Sequence, residues 1–548
     1  MNWIIIVSLC ILPLLYFLVP GLPVTHDGPD HVARIANFYQ SLSEGNLVPR
    51  WAANLNWGYG HPILMFLYPL PSYVASLFHA FGFSFVDATK LVFVVAYIAS
   101  ALMMYLWAAA AFNKRVGVIA AVLYAFAPYR FVDMAVRGAI GEHIAFVFPP
   151  LVLYLLFCLA HNRAALNKKV WYAIGVSLTV AALILSHNAI SIMFMPIILL
   201  YIIYLYFFVT KKDNVFLFSS LVAFFCGFGL SAFFWIPAEF EGKYTLRDIV
   251  TAGGVSDRFV PWIKFIFSGW SYGTSDELSK SIGFTGWIGV LAAIWAVTRK
   301  QTKAFVWFVS AAVAVFVISL FIMTAQSAFI WDQITLLQKF QFPWRFLSVS
   351  VFSVSILGGI GIDAFCNHLK RYEMYVIAGF CILTVVLSYT MWKPKAYSVK
   401  PESYYSGIYN STTDTGESSP IWSVRFMEHR PNDPIGVISG VATIKPISRT
   451  TTKHIYQVSV PTSARLVENT LYFPGWNVYV DGVKTDMQFQ DPEYRGLITF
   501  HIASGDHTVS IIFTDTKLRK IANYMSISVL LSLTVIAGLG ETIWRKKI

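Results

Sequence analysis

The chain has 548 residues, 57% of them hydrophobic and 13% charged, against about 25% charged in a typical soluble domain. A soluble fold of this length cannot hide that much apolar surface, so the composition excludes a soluble enzyme and points to an integral membrane protein. The net charge of +12 does not call for nucleic acid, because many basic residues cluster in short connections between apolar runs, where the positive-inside rule places them on the cytoplasmic side.

Apolar runs long enough to cross a bilayer predict about twelve spans. They fall near 3–22, 90–112, 116–135, 143–161, 170–186, 189–210, 216–237, 282–298, 304–324, 346–366, 373–392 and 521–544. The first, "WIIIVSLCILPLLYFLVPGL", lacks a basic leader and a small-residue cleavage site, so it is expected to be a retained helix rather than a signal peptide. With a cytoplasmic N-terminus, the connections 113–115, 161–169, 211–214, 299–303 and 368–373 and the terminal "RKK" all fall on the cytoplasmic side, and each is basic. Both termini are then cytoplasmic. This alternation requires residues 62–82 not to span. Pro62, Pro69 and Pro71 fit a re-entrant or interfacial segment there, packed on protein or lining a cavity.

The stretch "THDGPDHVAR" (25–34) opens the first outer loop, 23–89. Asp27-Gly28-Pro29 reads as a helix start, with Asp27 as N-cap and proline in the first turn. Val32, Ile35, Phe38, Tyr39 and Leu42 then make an apolar stripe, predicting a helix along the outer interface. Two readings stand side by side. In one, Asp27 caps the helix, Asp30 pairs with Arg34 one turn on, and His31 faces water. In the other, Asp27 and His31 point into a cavity against the membrane domain, where a carboxylate can serve as base or metal ligand.

The short loop 129–142 carries Arg130 and Arg137, which run against the positive-inside trend on an outer face. A lipid phosphate explains them, and so does interfacial anchoring. Glu142 and His143 follow at the re-entry into the membrane, where a charge at a helix N-terminus is one reading of Glu142 and a site acid is the other. His187-Asn188 lies at an outer turn between spans, as a plain turn or as part of a cavity rim. In "QFPWRF" (341–346), Arg345 enters a span beside Trp344, at a depth where arginine can grip a phosphate bidentately. Spans are otherwise nearly free of central charge, Asp363 being the visible exception.

The remaining outer pieces are 238–281 and a polar block from 393 to 520. Within that block "KHIYQVSV", "ARLVENTLYF", "WNVYVDG", "LITFHI" and "HTVSIIF" are alternating or β-branched runs parted by turns, predicting an antiparallel β-sandwich. The segment 398–440 is expected either to cover the site or merely to connect, and the run from 521 re-anchors the chain. All five cysteines lie in apolar runs without a CxxC pair and read as buried free thiols. No nucleotide-binding or metalloprotease motif occurs.

Several segments resemble one bacterial membrane family. The D-x-x-x-H run at Asp27 and His31, "EGNLVPRW" (44–51), "NWGYGHPILMFLYPLP" (56–71), "RGAIGEH" (137–143), "QFPWRF" and "FPGWNVYVDG" (473–482) together look like the proteins labelled 6-pyruvoyl-tetrahydropterin synthase-related. These are similar to the YfhO family and the wider GT-C glycosyltransferases. The resemblance implies a GT-C-like helical domain over 1–392, an extracytoplasmic β-sandwich over 393–520 and a C-terminal anchor over 521–548. It implies that Asp27 is the catalytic base or metal ligand, with Asp30 as runner-up and Glu142 as a second acid. His31, Arg130, Arg137, His143, His187 and Arg345 would then contact substrate.

The implied reaction transfers a sugar from a polyprenyl-phosphate donor to an extracytoplasmic glycan or lipid acceptor, with inversion. Cofactor need stays open, with a divalent Mg or Mn on Asp27, His31 and Glu142 as the candidate. Membrane lipids are expected partners and nucleic acid is not. The competing classes are a transporter or flippase of lipid-linked sugars, which would want inverted repeats and broken midplane helices, and a non-catalytic envelope assembly protein.

Overall fold

The computed structural model describes residues 2–161, 166–250, 256–273, 278–299 and 301–545. Eight described helices are long and apolar enough to cross a membrane, or ten if each of two bent pairs crosses as one span. The pairs are Lys114–Ala125 with Pro128–Arg137, bent by 45°, and Asn214–Leu230 with Ala232–Phe240, bent by 65°. The runs expected at 3–22 and 282–298 give the shorter apolar helices Asn2–Leu18 and Phe284–Val297. Pro13 closes the α-helical part of the former, which tightens into a 3₁₀ turn. Gly283, at φ +88°, delays the start of the latter. Residues 62–82 form two short helices, Ile63–Phe66 and Leu70–Ala80, neither of spanning length.

The most deeply buried long helix is Leu347–Leu369, and its sequence says why. "SVSVFSVSILGGIGID" presents serines and glycines wherever neighbours approach, the small-residue interface of packed membrane helices. A Cβ on Gly289 would sit 2.6 Å from the Gly358 Cα, and one on Gly361 2.4 Å from the Ala293 amide nitrogen. Ser319 and Ser350 share a 2.7 Å hydroxyl contact on another face.

Some of the basic connections converge at one end. Arg115 pairs with Asp363 at 2.8 Å and with Glu373 at 2.5 Å. Arg299, Asn367 and His368 line a polar cavity of about 410 Å³ beside them. Residues 162–165, Lys300 and 546–548, which carry further expected basic positions, lie outside the described residues. Cys10, Cys366 and Cys381 are buried, Cys158 and Cys226 half-buried, and all five are free thiols.

The C-terminal region is a β-sheet domain. One sheet runs Ile435–Ser439, Ala464–Leu471, Leu497–Ile502, Met487–Gln488, and the other runs Thr443–Arg449, Lys453–Val460, Gly505–Phe513, Trp476–Val480, Val483–Thr485. Every pairing is antiparallel. Tyr456, Val458, Val478, Val509 and Ile511 from the second sheet share one apolar core with Leu466, Ile498 and Phe500 from the first.

This domain grips the helices through the first loop. Trp51 meets Trp476 edge-on at 5.5 Å, and Arg50 pairs with Asp515 at 3.2 Å. Arg519, fully buried, donates to Glu241 at 2.7 Å and to the Pro474 carbonyl at 2.6 Å. The last helix, Lys517–Arg545, thereby locks to both the "FPGW" turn and the helix Ala232–Phe240. Residues 399–434 join neither sheet and instead run over the loop 23–89 and the neighbouring segment: Tyr409 donates its amide to the Asn54 carbonyl, and Pro420 bridges to Thr245.

Candidate functional site

The helix Gly28–Ser43 starts beside the expected outer loop 129–142, which is not an exposed loop. It folds into the bundle as Pro128–Phe131 and a π-helical turn, Val132–Arg137, with every residue from 128 to 142 buried. His26 and Asp27 donate their amides to the Val136 and Arg137 carbonyls, at 3.0 and 2.9 Å. Gly138, at φ +68°, turns the chain there, and a Cβ on it would lie 2.3 Å from the Thr25 hydroxyl.

Asp27 occupies the N-cap position, yet its side chain makes no capping hydrogen bond. The Thr25 hydroxyl accepts from the Gly28 amide instead, at 3.1 Å. The half-buried Asp27 carboxylate is therefore free for other work. Thr25→Ala is expected to cost about 1 kcal/mol of stability, the usual value of a lost cap, while Asp27→Ala costs none of that; chemical denaturation of the two variants in micelles checks the difference.

The other parts of the local reading also give way. Asp30 accepts from the Tyr409 hydroxyl at 3.1 Å rather than pairing with Arg34. Burial lifts its carboxyl above the usual aspartate range, opposed by Arg34 and by the Tyr409 bond. Arg34 donates its Nε to the Thr413 hydroxyl at 2.8 Å and Nη1 to His31 Nδ1 at 3.2 Å. His31 does not face water: it is 4% exposed.

Glu142 is the hub of the neighbouring cluster. Its Oε1 accepts from Arg137 at 2.8 Å and from Arg345 at 3.1 Å, and its Oε2 accepts from the Tyr129 hydroxyl at 2.7 Å. Arg137 also pairs with Asp133 at 2.8 Å. Arg345 spends Nη1 on the Phe340 carbonyl at 2.8 Å and stacks on Phe342, while its Nη2 makes no hydrogen bond among the described residues. His187 caps the helix Asn188–Tyr204 by accepting the Ile190 amide on Nδ1, so its Nε2 carries the proton and faces Glu142 at 3.8 Å. It thus serves the turn. Burial, with Arg345 and Arg137 adding and Glu142 opposing, pushes its pKa down to about 3.

Tyr68 joins the two halves. Its ring lies 4.9 Å from His187, and a Cβ on Gly141 would strike it at 2.1 Å, which explains a glycine in "RGAIGEH". Burial pushes the Tyr68 hydroxyl up to about 12, with Arg34 lowering it and Asp27 and Glu142 raising it, so all three act on this one oxygen. Asp27, His31, Arg34, Tyr68, Arg137, Glu142, His187 and Arg345 form one polar cluster.

Two expected substrate contacts are not in it. The Arg130 guanidinium is fully buried among Phe146, Tyr97 and Tyr124, 4.1, 5.5 and 5.8 Å from their rings, and donates to Ser100. It sits inside the helical bundle. His143 contacts the Phe93 carbonyl at 3.1 Å and stacks on Tyr97. The metal expectation fails on donor chemistry. Both Glu142 oxygens already accept from cationic or hydroxyl donors, and His31 Nδ1 accepts from Arg34, which leaves the ring proton on Nε2, so Asp27, His31 and Glu142 do not fit a shared cation. Among the described residues, no group of three His, Cys, Asp or Glu side chains could hold a metal.

Sequence reasoning overlooked Tyr68 and Tyr129, and it gave Arg34 only an i,i+4 role. The one available signal for Tyr68 was its place in "NWGYGHPILMFLYPLP", between prolines that keep the segment from spanning.

A family model described as a 6-pyruvoyl-tetrahydropterin synthase related domain, a membrane protein, matches residues 64–393. A protein of Lactococcus lactis subsp. cremoris, described as uncharacterized, is 24% identical over 248 residues, which is 43% of this chain and 39% of that relative. The chain therefore aligns with well under half of that relative's length. Among solved structures, ArnT from Cupriavidus metallidurans bound to undecaprenyl phosphate is similar with a TM-score of 0.42 and 12% identity, over 71% of this chain and 75% of that one. The Archaeoglobus fulgidus oligosaccharyltransferase in its apo form gives 0.49 and 14%, over 77% and 60%. The family match covers well over half of the sequence, and the chain belongs to the 6-pyruvoyl-tetrahydropterin synthase-related family of membrane proteins.

Proposed function

We propose that this protein is a GT-C-type membrane glycosyltransferase that moves a sugar from a polyprenyl-phosphate donor to an extracytoplasmic glycan or lipid acceptor. In this reading the helices make about twelve spans, the short and bent helices included. Both termini are cytoplasmic, and the two sheets form a sandwich outside the cytoplasmic membrane that presents the acceptor. The observation that carries the proposal is the uncapped Asp27 carboxylate beside a cluster with three arginines. A lipid donor cannot leave the bilayer, so its phosphate must be met where spans end and arginines are held, as Arg345 is.

Asp27 takes the proton of the acceptor hydroxyl. The hydroxyl oxygen bonds to the anomeric carbon, the carbon–oxygen bond to phosphate breaks, and the electron pair leaves on the polyprenyl phosphate. The anomeric centre inverts. Arg345, through its unspent Nη2, and Arg137 stabilise the charge that grows on the leaving phosphate. Asp30 is already engaged by the Tyr409 hydroxyl and is not the base in this reading.

A panel of radiolabelled undecaprenyl-phosphate sugars, incubated with the purified protein and envelope extract, is expected to show label transfer with at least one donor. Absence of transfer with every donor, together with no retention of undecaprenyl phosphate, would contradict the proposal. The flippase reading draws on the bent pair carrying buried Arg130, Asp133 and Arg137. It predicts instead movement of lipid-linked sugar across proteoliposomes without transfer.

A further inference from the structure

We infer that Arg34 is a positioning residue that fixes His31 as a neutral imidazole with its proton on Nε2, making His31 a hydrogen-bond donor to an anionic oxygen of the substrate. The inference rests on the reading of this cluster as the donor phosphate site.

Arginine has only N–H donors. The 3.2 Å contact between Arg34 Nη1 and His31 Nδ1 therefore obliges Nδ1 to accept, which leaves the ring proton on Nε2. Arg34 is itself held by its second bond, Nε to the Thr413 hydroxyl at 2.8 Å. Thr413 sits at φ +66°, in a segment that Tyr409 also pins to Asp30. Arg34 is 7% exposed and forms no ion pair among the described residues, so its charge is committed to orientation rather than to a carboxylate.

His31 Nε2 is buried with no hydrogen-bond partner. An unmade bond to a buried donor is costly, so such an atom inside a polar cluster is poised for a ligand. The charged and titratable groups acting on the ring are Arg34 on its own helix and Arg137 and His187 across the cluster. Burial first, and the Arg34 and Arg137 cations next, hold the ring well below the usual histidine range, so it stays neutral. A neutral donor suits a leaving phosphate oxygen because it offers a hydrogen bond at every working pH. His187, clamped by a backbone amide into the same tautomer, faces Glu142 at 3.8 Å instead.

The test uses the full chain in nanodiscs with undecaprenyl phosphate as the probe and inorganic phosphate in a parallel arm. Selective ¹⁵N-histidine spectra, with His31 identified by its loss in His31→Gln, are expected to show Nδ1 unprotonated and Nε2 protonated, and Arg34→Met is expected to mix the tautomers. Gln presents an amide N–H near the Nε2 position. His31→Gln should therefore hold the lipid within about threefold of wild type, while His31→Asn, which cannot reach, weakens it about tenfold or more.

Binding of the lipid without inorganic phosphate identifies the lipid headgroup as the source, and equal binding of both identifies a free-phosphate site. A His31 ring protonated on Nδ1, or His31→Asn binding as wild type does, overturns the inference. Wild-type protein with the expected tautomer that retains neither probe leaves the positioning intact and overturns the phosphate reading beneath it.

Discussion

Asp27→Asn is expected to abolish sugar transfer while leaving expression, unfolding midpoint and lipid binding unchanged. Asparagine keeps the shape and one oxygen but cannot take a proton, and a positioned general base contributes about 10²–10⁴-fold to rate. Stability is spared because the Asp27 side chain makes no capping bond; Thr25 does that instead. The helix start is further held by backbone bonds from His26 and Asp27 to residues 136 and 137, which the substitution does not touch. The control is Asp30→Asn. Its carboxyl is screened by Tyr409, so its loss should lower transfer far less than that of Asp27. Equal loss from both would shift the base to Asp30 or to the pair.

Glu142→Gln has the largest expected cost to the fold. The side chain is 1% exposed and its Oε1 is shared by Arg137 and Arg345. Removing one partner of a buried ion pair costs about 3–5 kcal/mol, since the remaining charge is stranded. Here Asp133 still answers Arg137, and the stranded charge is that of Arg345. Glu142→Gln combined with Arg345→Met should recover part of the loss, because the uncompensated cation is then gone. Denaturation of both variants in micelles measures it. A Glu142→Gln protein as stable as wild type would show that Arg137 and Arg345 find other partners.

The parts legible in the sequence were those governed by one chain-local variable. Apolar length located the helices, and alternation located the strands Lys453–Val460, Ala464–Leu471, Trp476–Val480, Leu497–Ile502 and Gly505–Phe513. The strand Thr443–Arg449 escaped notice because "TIKPISR" carries Pro446 and exposed charges, as an edge strand with a register shift does.

The site was read less well because its decisive contacts are remote. Asp30 and Arg34 look like a helical ion pair until Tyr409 and Thr413, each 379 residues further on, take them apart. Arg130 looks interfacial because hydropathy cannot foresee an aromatic cage built from residues 97, 124 and 146. His31 looks solvent-facing for the same reason: it is buried, and the groups that act on it, Arg137 and His187, come from remote segments. Asp27 was singled out through the family resemblance of the D-x-x-x-H run, and the structure adds that Thr25 relieves it of the cap.

The most direct measurement is a cryo-EM map of the full chain in nanodiscs with undecaprenyl phosphate. Phosphate density within hydrogen-bond reach of His31 Nε2 or Arg345 Nη2, with the Asp27 carboxylate alongside, is the result expected. A headgroup seated instead beside Lys90 in the groove of about 730 Å³ between Asn2–Leu18 and Phe85–Ala111, with nothing near Asp27, would contradict it.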